Sequence, residues 1–396
     1  MNADLTERQA LLVLNALPNI GPITLNRLLD ALGGDPRSVL TAGKATLERV
    51  KGVGPVISAT VTAWREHFDP AREEARMAQA GADFVTGHDA AYPRLLKEIH
   101  DPPIGLYRKG SYDFAAPGVA IVGSRRTTLY GQAVAKKFGA ELARLGFCVV
   151  SGLARGIDTA AHDGALSVGG RTAAVLGCGV DIVYPPENLD LYRKIAAEGA
   201  VLSEFPFGRR ADRQSFAMRN RIVAGMCEAT IVVESDVDGG AMITAKFAGE
   251  QGRLIFAVPG RIDQNTSAGC HQLIRDGATL MTSVDDLLSE LSYLDGLRPA
   301  AIPPKPGAQL ELGAEADAAA ARPAGGGGGP GGARAAALAG DEATVFACFR
   351  GGAILAPDAL AAQTGLPMAQ LSATLMMLEL KRLVAKRADG AFEARG

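Results

Sequence analysis

Apolar and polar positions recur along this chain in two periods, and the change from one to the other divides it. From Leu5 to Leu17, from Ile23 to Leu32 and over Leu47 to Val50, apolar residues return every three or four positions, which predicts amphipathic helices. Ile20-Gly21-Pro22 and Gly52-Val53-Gly54-Pro55 punctuate them, as glycine and proline stop one helix and start the next. From Ala91 a connector, YPRLLKEIHDPPIGLYRKG, leads into a second regime. There, short continuous apolar runs stand at Val119 to Val122, Phe147 to Val150, Thr172 to Leu176, Ala200 to Leu202, Thr230 to Val233 and Leu254 to Val258, with helical stretches between them. Runs buried on both faces and alternating with helices predict a doubly wound parallel sheet, an extended Rossmann-like α/β fold. Glycine follows most of the runs, at Gly123, Gly152, Gly177 with Gly179, Gly239 with Gly240, and Gly260. The glycine loops therefore gather on one edge, where open α/β sheets bind ligands.

Leu297 to Gly340 keeps neither period. In it 31 of 44 residues are Gly, Ala or Pro and none is aromatic, so it cannot bury a core and reads as a disordered tether. Beyond it, Pro357 to Leu380 reads as helix, turn at Thr364-Gly365-Leu366, and helix; Leu383 to Phe392 then reads as a small hairpin, so the tail resembles a winged helix. Its would-be recognition helix, Met368 to Leu380, is mainly Leu, Met and Ala with Glu379 as its one charge, whereas reading base edges needs Arg, Lys, Asn or Gln. A protein-interaction or weak DNA role fits that helix better than base readout. The expected partition is thus a helical module over residues 1–80, a Rossmann-like domain over 81–296, a linker over 297–340 and a winged helix over 341–396. Within the first module, Gly52-Val53-Gly54 resembles the turn of a SAM-like or helix-hairpin-helix module, in which backbone N–H groups hold a nucleic-acid phosphate. In the first copy Asn19 stands where that motif usually has its first glycine. A purely structural module is the alternative.

Composition narrows the choice. A chain of 396 residues, 47% apolar, is long enough for two or three domains. Its net charge of −2 excludes a polycation, so any nucleic-acid site has to be a local patch. Five cysteines, Cys148, Cys178, Cys227, Cys270 and Cys348, are scattered with no C-x-x-C pair, which implies reduced, mostly buried thiols in a cytoplasmic protein, with no metal site. No cofactor is called for. The opening MNADLTERQA carries acids and no apolar signal core, and nowhere do eighteen apolar residues run together, so neither export nor a membrane span is expected.

Three stretches carry candidate chemistry. Gly123-Ser124-Arg125-Arg126 breaks an apolar strand and enters a helix, a turn that offers free N–H groups, the positive end of a helix dipole and two guanidinium forks suited to phosphate. A tight turn with solvated arginines is the plain alternative. Ser151-Gly152-Leu153-Ala154-Arg155-Gly156-Ile157-Asp158 repeats the pattern, with glycines for close backbone approach and Asp158 as a helix cap; His162 beyond it has no nucleophile in register and reads as structural. Between Phe205 and Gly225, Arg209, Arg210, Arg213, Arg219 and Arg221 face a single acid, Asp212, and are interleaved with Phe207, Phe216 and Asn220. Aromatics beside arginines suit bases stacked over a tracked backbone.

In this order, VGSRR at Val122 to Arg126, SGLARGID at Ser151 to Asp158 with His162, GCGVDIVYP at Gly177 to Pro185, Ser203-Glu204, Phe216 to Arg221, Thr244-Ala245 and Val258 to Gly260 resemble the DNA-processing protein A (DprA/Smf) family. That resemblance spans nearly the whole chain outside the tether. It implies single-stranded DNA binding without hydrolysis, loading of the RecA recombinase in natural transformation and recombination, and a homodimer through the Rossmann-like domain. Carried over by motif, it implies phosphate contact by Gly123, Ser124 and Arg125, with Ser151, Gly152 and Arg155 on the neighbouring loop. Arg213 and Phe216 would form the basic and stacking stretch, and Arg219, Asn220 and Arg221 its rim. Gly239-Gly240 and Gly269-Cys270-His271 depart from the family pattern, which more often has Ser-Gly and a closing asparagine.

The rival is a nucleotide phosphoribohydrolase of the lysine-decarboxylase-like type, whose similar domain uses a glutamate shortly after a double glycine. Ala241 to Lys246 after Gly239-Gly240 hold no carboxylate, which leaves Glu204 and Glu234 as substitutes. Val122 to Tyr130 holds no G-x-G-x-x-G, against a dinucleotide oxidoreductase.

Overall fold

The computed structural model describes residues 5–292, 338, 340–349, 353–387 and 390–394. The expected tether lies outside these, apart from Leu338 and Gly340. By their contacts the residues form two compact units, one of Met1–Gly260 and Thr266–Ala308, the other of Arg261–Asn265 and Gln309–Gly396.

The first unit opens with seven helices: α1 (Glu7–Ala16), α2 (Pro22–Ala31), α3 (Pro36–Thr41), α4 (Lys44–Leu47), α5 (Pro55–Thr62), α6 (Trp64–His67) and α7 (Pro70–Ala80). Proline at the first helical position starts α2, α3, α5 and α7, where its missing N–H costs nothing. The two glycine turns match each other: Asn19 has φ 61° and Gly52 φ 91°, so asparagine takes the left-handed conformation that glycine takes in the second copy.

Nine strands then make one sheet in the order β1-β2-β6-β5-β4-β3-β7-β8-β9. They are β1 (Ala82–Thr86), β2 (Gly105–Gly110), β3 (Gly118–Val122), β4 (Cys148–Ser151), β5 (Thr172–Leu176), β6 (Ala200–Ser203), β7 (Ala229–Val232), β8 (Leu254–Ala257) and β9 (Thr279–Leu280). From β6 across to β9 every pairing is parallel. The helices α8 (Leu129–Arg144), α9 (Ile157–Ser167), α10 (Leu189–Glu198), α11 (Arg213–Gly225), α12 (Gly240–Glu250) and α13 (Asn265–Arg275) link the parallel strands, and α14 (Val284–Glu290) follows β9. The doubly wound sheet is as expected, with three strands that the pattern did not mark, β1, β2 and β9. The stretch read as a connector contains β2, which pairs antiparallel with β1 and with β6. Chain order runs outward on one side from β3 to β6 and on the other from β7 to β9, so the switch point falls between β3 and β7.

Side chains alternate across β2, and this fastens the helices to the sheet. Tyr107 joins a core with Leu12, Leu14, Leu28, Val201 and Phe207, while Leu106 faces the opposite core with Val122, Val150 and Val232. Helix α7 also holds the loop after β6: Arg76 Nη1 donates to the Phe207 carbonyl at 2.9 Å, and Glu73 accepts the Phe207 N–H at 2.8 Å. Asn15 on α1 donates to the Glu204 carbonyl at 2.7 Å.

The second unit carries α15 (Asp341–Ala347), α16 (Pro357–Thr364) and α17 (Met368–Leu380) with the strands β10 (Ile354–Leu355), β11 (Val384–Lys386) and β12 (Phe392–Ala394) in the order β10-β12-β11. Three helices and a small antiparallel wing around Val345, Leu360, Leu371, Leu375, Leu378 and Phe392 make a winged helix. Met376, Met377 and Leu380 of α17 are exposed. No helix among the described residues is long and apolar enough to cross a membrane, and none of their His, Cys, Asp and Glu side chains form a group of three or more able to hold a metal ion.

Candidate nucleic-acid interface

The turn after β3 is built on a buried carboxylate. Glu234, just past the end of β7, accepts from Thr127 Oγ1 at 2.5 Å, from the Thr128 N–H at 2.9 Å and from Thr128 Oγ1 at 2.5 Å. Its carbonyl accepts the Ser124 N–H at 2.6 Å, and Thr128 caps α8 by accepting the Gly131 N–H at 3.1 Å. With both ends of the turn fixed, Arg125 and Arg126 stand exposed at its crown.

The loop after β4 docks against it. Gly156 has φ 80°, and a Cβ there would lie 2.4 Å from the Ser124 carbonyl, so only glycine fits. Asp158 does not cap α9 as expected; its carboxylate accepts the N–H groups of Gly152 and Ala154 at 3.1 and 3.2 Å and so ties the loop. Burial pushes this carboxyl above its usual range, while the Arg219 charge and the loop N–H groups act the other way. Ser151 also faces inward, donating its hydroxyl to the Ile121 carbonyl at 2.6 Å.

Two expected rim residues are not on the rim. Arg219 is 4% exposed, and its Nη1 donates to the carbonyls of Gly152, at 2.6 Å, and of Val175. Arg221 is 2% exposed; its Nη2 reaches both oxygens of Glu204 at 2.6 Å, its Nη1 the Asp101 carbonyl at 2.8 Å. The physical reason is the helical period: Ser215, Arg219 and Ile222 share the buried face of α11, and Arg221 points down the other flank to a carboxylate that needs a cation. Asn220 is half-buried and donates to the Gly240 carbonyl at 3.4 Å. Arg213 is exposed in the first turn of α11.

What comes together at the carboxyl edge is a pocket fed by three successive loops and a helix. Arg125 from the turn after β3, Gly152 and Arg155 from the loop after β4, Tyr184 from the loop after β5 and Phe216 from α11 line it, with Arg219 as a wall. The Arg125 guanidinium carbon stands 5.1 Å from the Phe216 ring centre, within cation–π range. Tyr184, 43% exposed, places its ring 5.4 Å from that of Phe216 at 44°. Phe216 in turn leaves no room for a side chain at Gly177, where a Cβ would lie 2.9 Å from the ring. Sequence reading missed Tyr184; the available signal was an aromatic one residue before Pro185 on a glycine-opened loop at the ligand edge.

The carboxylates suggested for hydrolysis are spent elsewhere, Glu204 on Arg221 and Glu234 on the two threonines. His162 is structural: Thr172 Oγ1 donates to the Val149 carbonyl at 2.6 Å, so it accepts from His162 Nδ1 at 2.7 Å, which assigns the proton to Nδ1. Burial, and secondarily the Arg219 charge, lower this ring to about 3.

Compared with known proteins, residues 83–292 match the family model described as DNA recombination-mediator protein A, and residues 330–390 match the DprA winged helix domain. Protein Smf of Synechocystis sp. is 39% identical over 297 residues, covering 73% of this chain and 74% of that protein. The DNA processing protein DprA of Streptococcus pneumoniae is 44% identical over 206 residues, 52% of this chain and 73% of that one. The X-ray structure of DNA processing protein A from Streptococcus pneumoniae superposes with a TM-score of 0.64 at 34% identity, covering 72% of this chain and 98% of that chain.

Proposed function

The chain belongs to the DNA recombination-mediator protein A family, and from that premise we propose that it holds single-stranded DNA along the carboxyl edge of its sheet. Arg125, Arg155 and Arg213 take phosphates, with Gly123 and the Ser124 hydroxyl in the same turn as Arg125; Phe216 takes bases, and Asn220 lies beside them. Ser151, Gly152 and Arg219 are the frame beneath. On this reading the protein is a cytoplasmic recombination mediator in natural transformation that hands the strand to the RecA recombinase, working as a homodimer through the Rossmann-like domain.

The observation that carries the reading is Arg125 laid over Phe216 beside an exposed tyrosine. Every base has a π face, so such a platform takes any sequence, and an adjacent guanidinium takes the phosphate that joins two bases. Arg213 adds to it. A cation in the first turn of α11 opposes the helix dipole, and a phosphate there satisfies both. None of this needs a bond broken, and the proposed role is binding and delivery.

A gel shift that compares single-stranded with blunt duplex oligonucleotides tests it. Preference for the single strand, with little dependence on sequence, is expected; equal affinity for both overturns it. The hydrolytic rival is checked by incubating the protein with nucleoside monophosphates and looking for free base.

A further inference from the structure

We propose that Tyr184 and Arg155 form a second nucleotide subsite beside Arg125 and Phe216, and that Glu187 competes with the strand for it from within the chain. The proposal rests on the single-strand reading above and adds to it where the second base sits and what it displaces.

Three observations carry it. The ring of Tyr184 is exposed, and its 44° tilt against Phe216 makes the two faces diverge. Diverging faces suit two successive bases splayed from one another better than one base sandwiched between them. Next, Arg155 lies on the loop between those of Arg125 and Tyr184, where a phosphate linking two such bases would pass. Finally, the Arg155 guanidinium is not free: its Nε is bonded to the carboxylate of Glu187, in the short 3₁₀ turn Pro186–Asn188 that follows Tyr184-Pro185.

Both side chains of that pair are about half exposed, at 55% and 49%. An ion pair so open to water adds little stability, so the fold does not explain it. Its consequence falls on binding. A carboxylate at the mouth of a basic pocket repels phosphate and occupies the guanidinium that would receive it. A strand therefore has to exchange carboxylate for phosphate at Arg155, after which Glu187 turns to solvent. The exchange favours a ligand with several linked phosphates, which gains Arg125 and Arg155 together, over a lone nucleotide.

The test is fluorescence anisotropy of the full chain on oligo-dT across a salt series, with thermal melting to confirm that each variant folds. Tyr184→Leu is expected to weaken binding by roughly 5- to 150-fold, the range for one stacked base, while Tyr184→Phe stays near the parent. Glu187→Gln is expected to tighten binding, because the strand no longer has to displace a carboxylate from Arg155. Adding Arg155→Ala to Glu187→Gln should erase that gain. Arg125→Ala and Phe216→Leu are run beside them. If these two weaken binding while Tyr184→Leu and Glu187→Gln match the parent, the second subsite is wrong and the single-strand reading stands. If the parent binds no oligo-dT, or Arg125→Ala and Phe216→Leu bind as it does, the underlying reading falls. Glu187→Gln alters only an exposed side chain, so it decides the matter even if Tyr184→Leu fails to fold.

Discussion

Five arginines between Phe205 and Gly225 have three fates: Arg209 and Arg210 lie in the loop before α11, and for Arg213, Arg219 and Arg221 position in the helical turn decides. Arg209 is paired with Asp212 at 2.6 Å, Arg210 and Arg213 are exposed, and Arg219 and Arg221 are inside. The basic excess was legible in the sequence, but its division was not, because a buried arginine is betrayed only by the carboxylate or carbonyls it meets in three dimensions. Phosphate contact and stacking separate by their salt response. Arg125→Ala should weaken oligo-dT binding and flatten log K against log salt by about 0.7, whereas Phe216→Leu should cost about 1–3 kcal/mol with the slope unchanged. Equal slopes for the parent and Arg125→Ala would place the phosphate elsewhere. His162 gives a pH dependence. Its folded ring stays neutral down to about 3, while the unfolded chain takes up a proton below about 6.5. Stability from this residue is therefore complete above about 6.5 and is lost as pH falls toward 3, by roughly 1.4 kcal/mol per unit. Relative to His162→Gln, the parent should lose about 2 kcal/mol between pH 7 and pH 5 in denaturant titrations; a constant difference refutes it.

Elements with a strong period were read well, and the weaker ones were not. The six runs from Val119 to Val258 are β3 to β8 within a residue or two, since strands buried on both faces are unbroken apolar runs. Hidden were β1, with only Phe84 and Val85 as large apolar residues, β2, where Arg108, Lys109 and two glycines leave only Leu106 and Tyr107 apolar, and β9, which has only two residues. The loops of the candidate site are set by a helix contact that the sequence shows only as two glycines. A Cβ on Gly164 in α9 would lie 2.2 Å from the Lys136 carbonyl of α8, and one on Gly139 would lie 2.4 Å from that of Ala161. These obstacles are backbone, so the helices must part. Gly164→Ala should cost about 1–3 kcal/mol in thermal or denaturant unfolding. It should also weaken oligo-dT binding, because α8 and α9 begin at the turns that hold Arg125 and Arg155. Binding and melting both equal to the parent would mean that the contact sets nothing.

At the scale of the whole molecule, the sequence divided the chain where composition changes and missed a join where it does not. The helices of residues 1–80 share one core with the sheet through Tyr107 and Phe207, which no local pattern announces. We retain the boundary near residue 297 as a proposal. A chain ending there should unfold cooperatively and keep most of its oligo-dT affinity, because the pocket lies upstream; non-cooperative melting would move the boundary. The register of β2 has a further consequence, for biosynthesis. Tyr107 pairs with Ser203, so the strand that joins the first helices to the sheet waits for a partner made roughly a hundred residues later. At ~5–20 residues per second the ribosome takes several seconds to supply it. During that interval the edge of β2 that later pairs with β6 has no partner strand, and it closes only when β6 emerges.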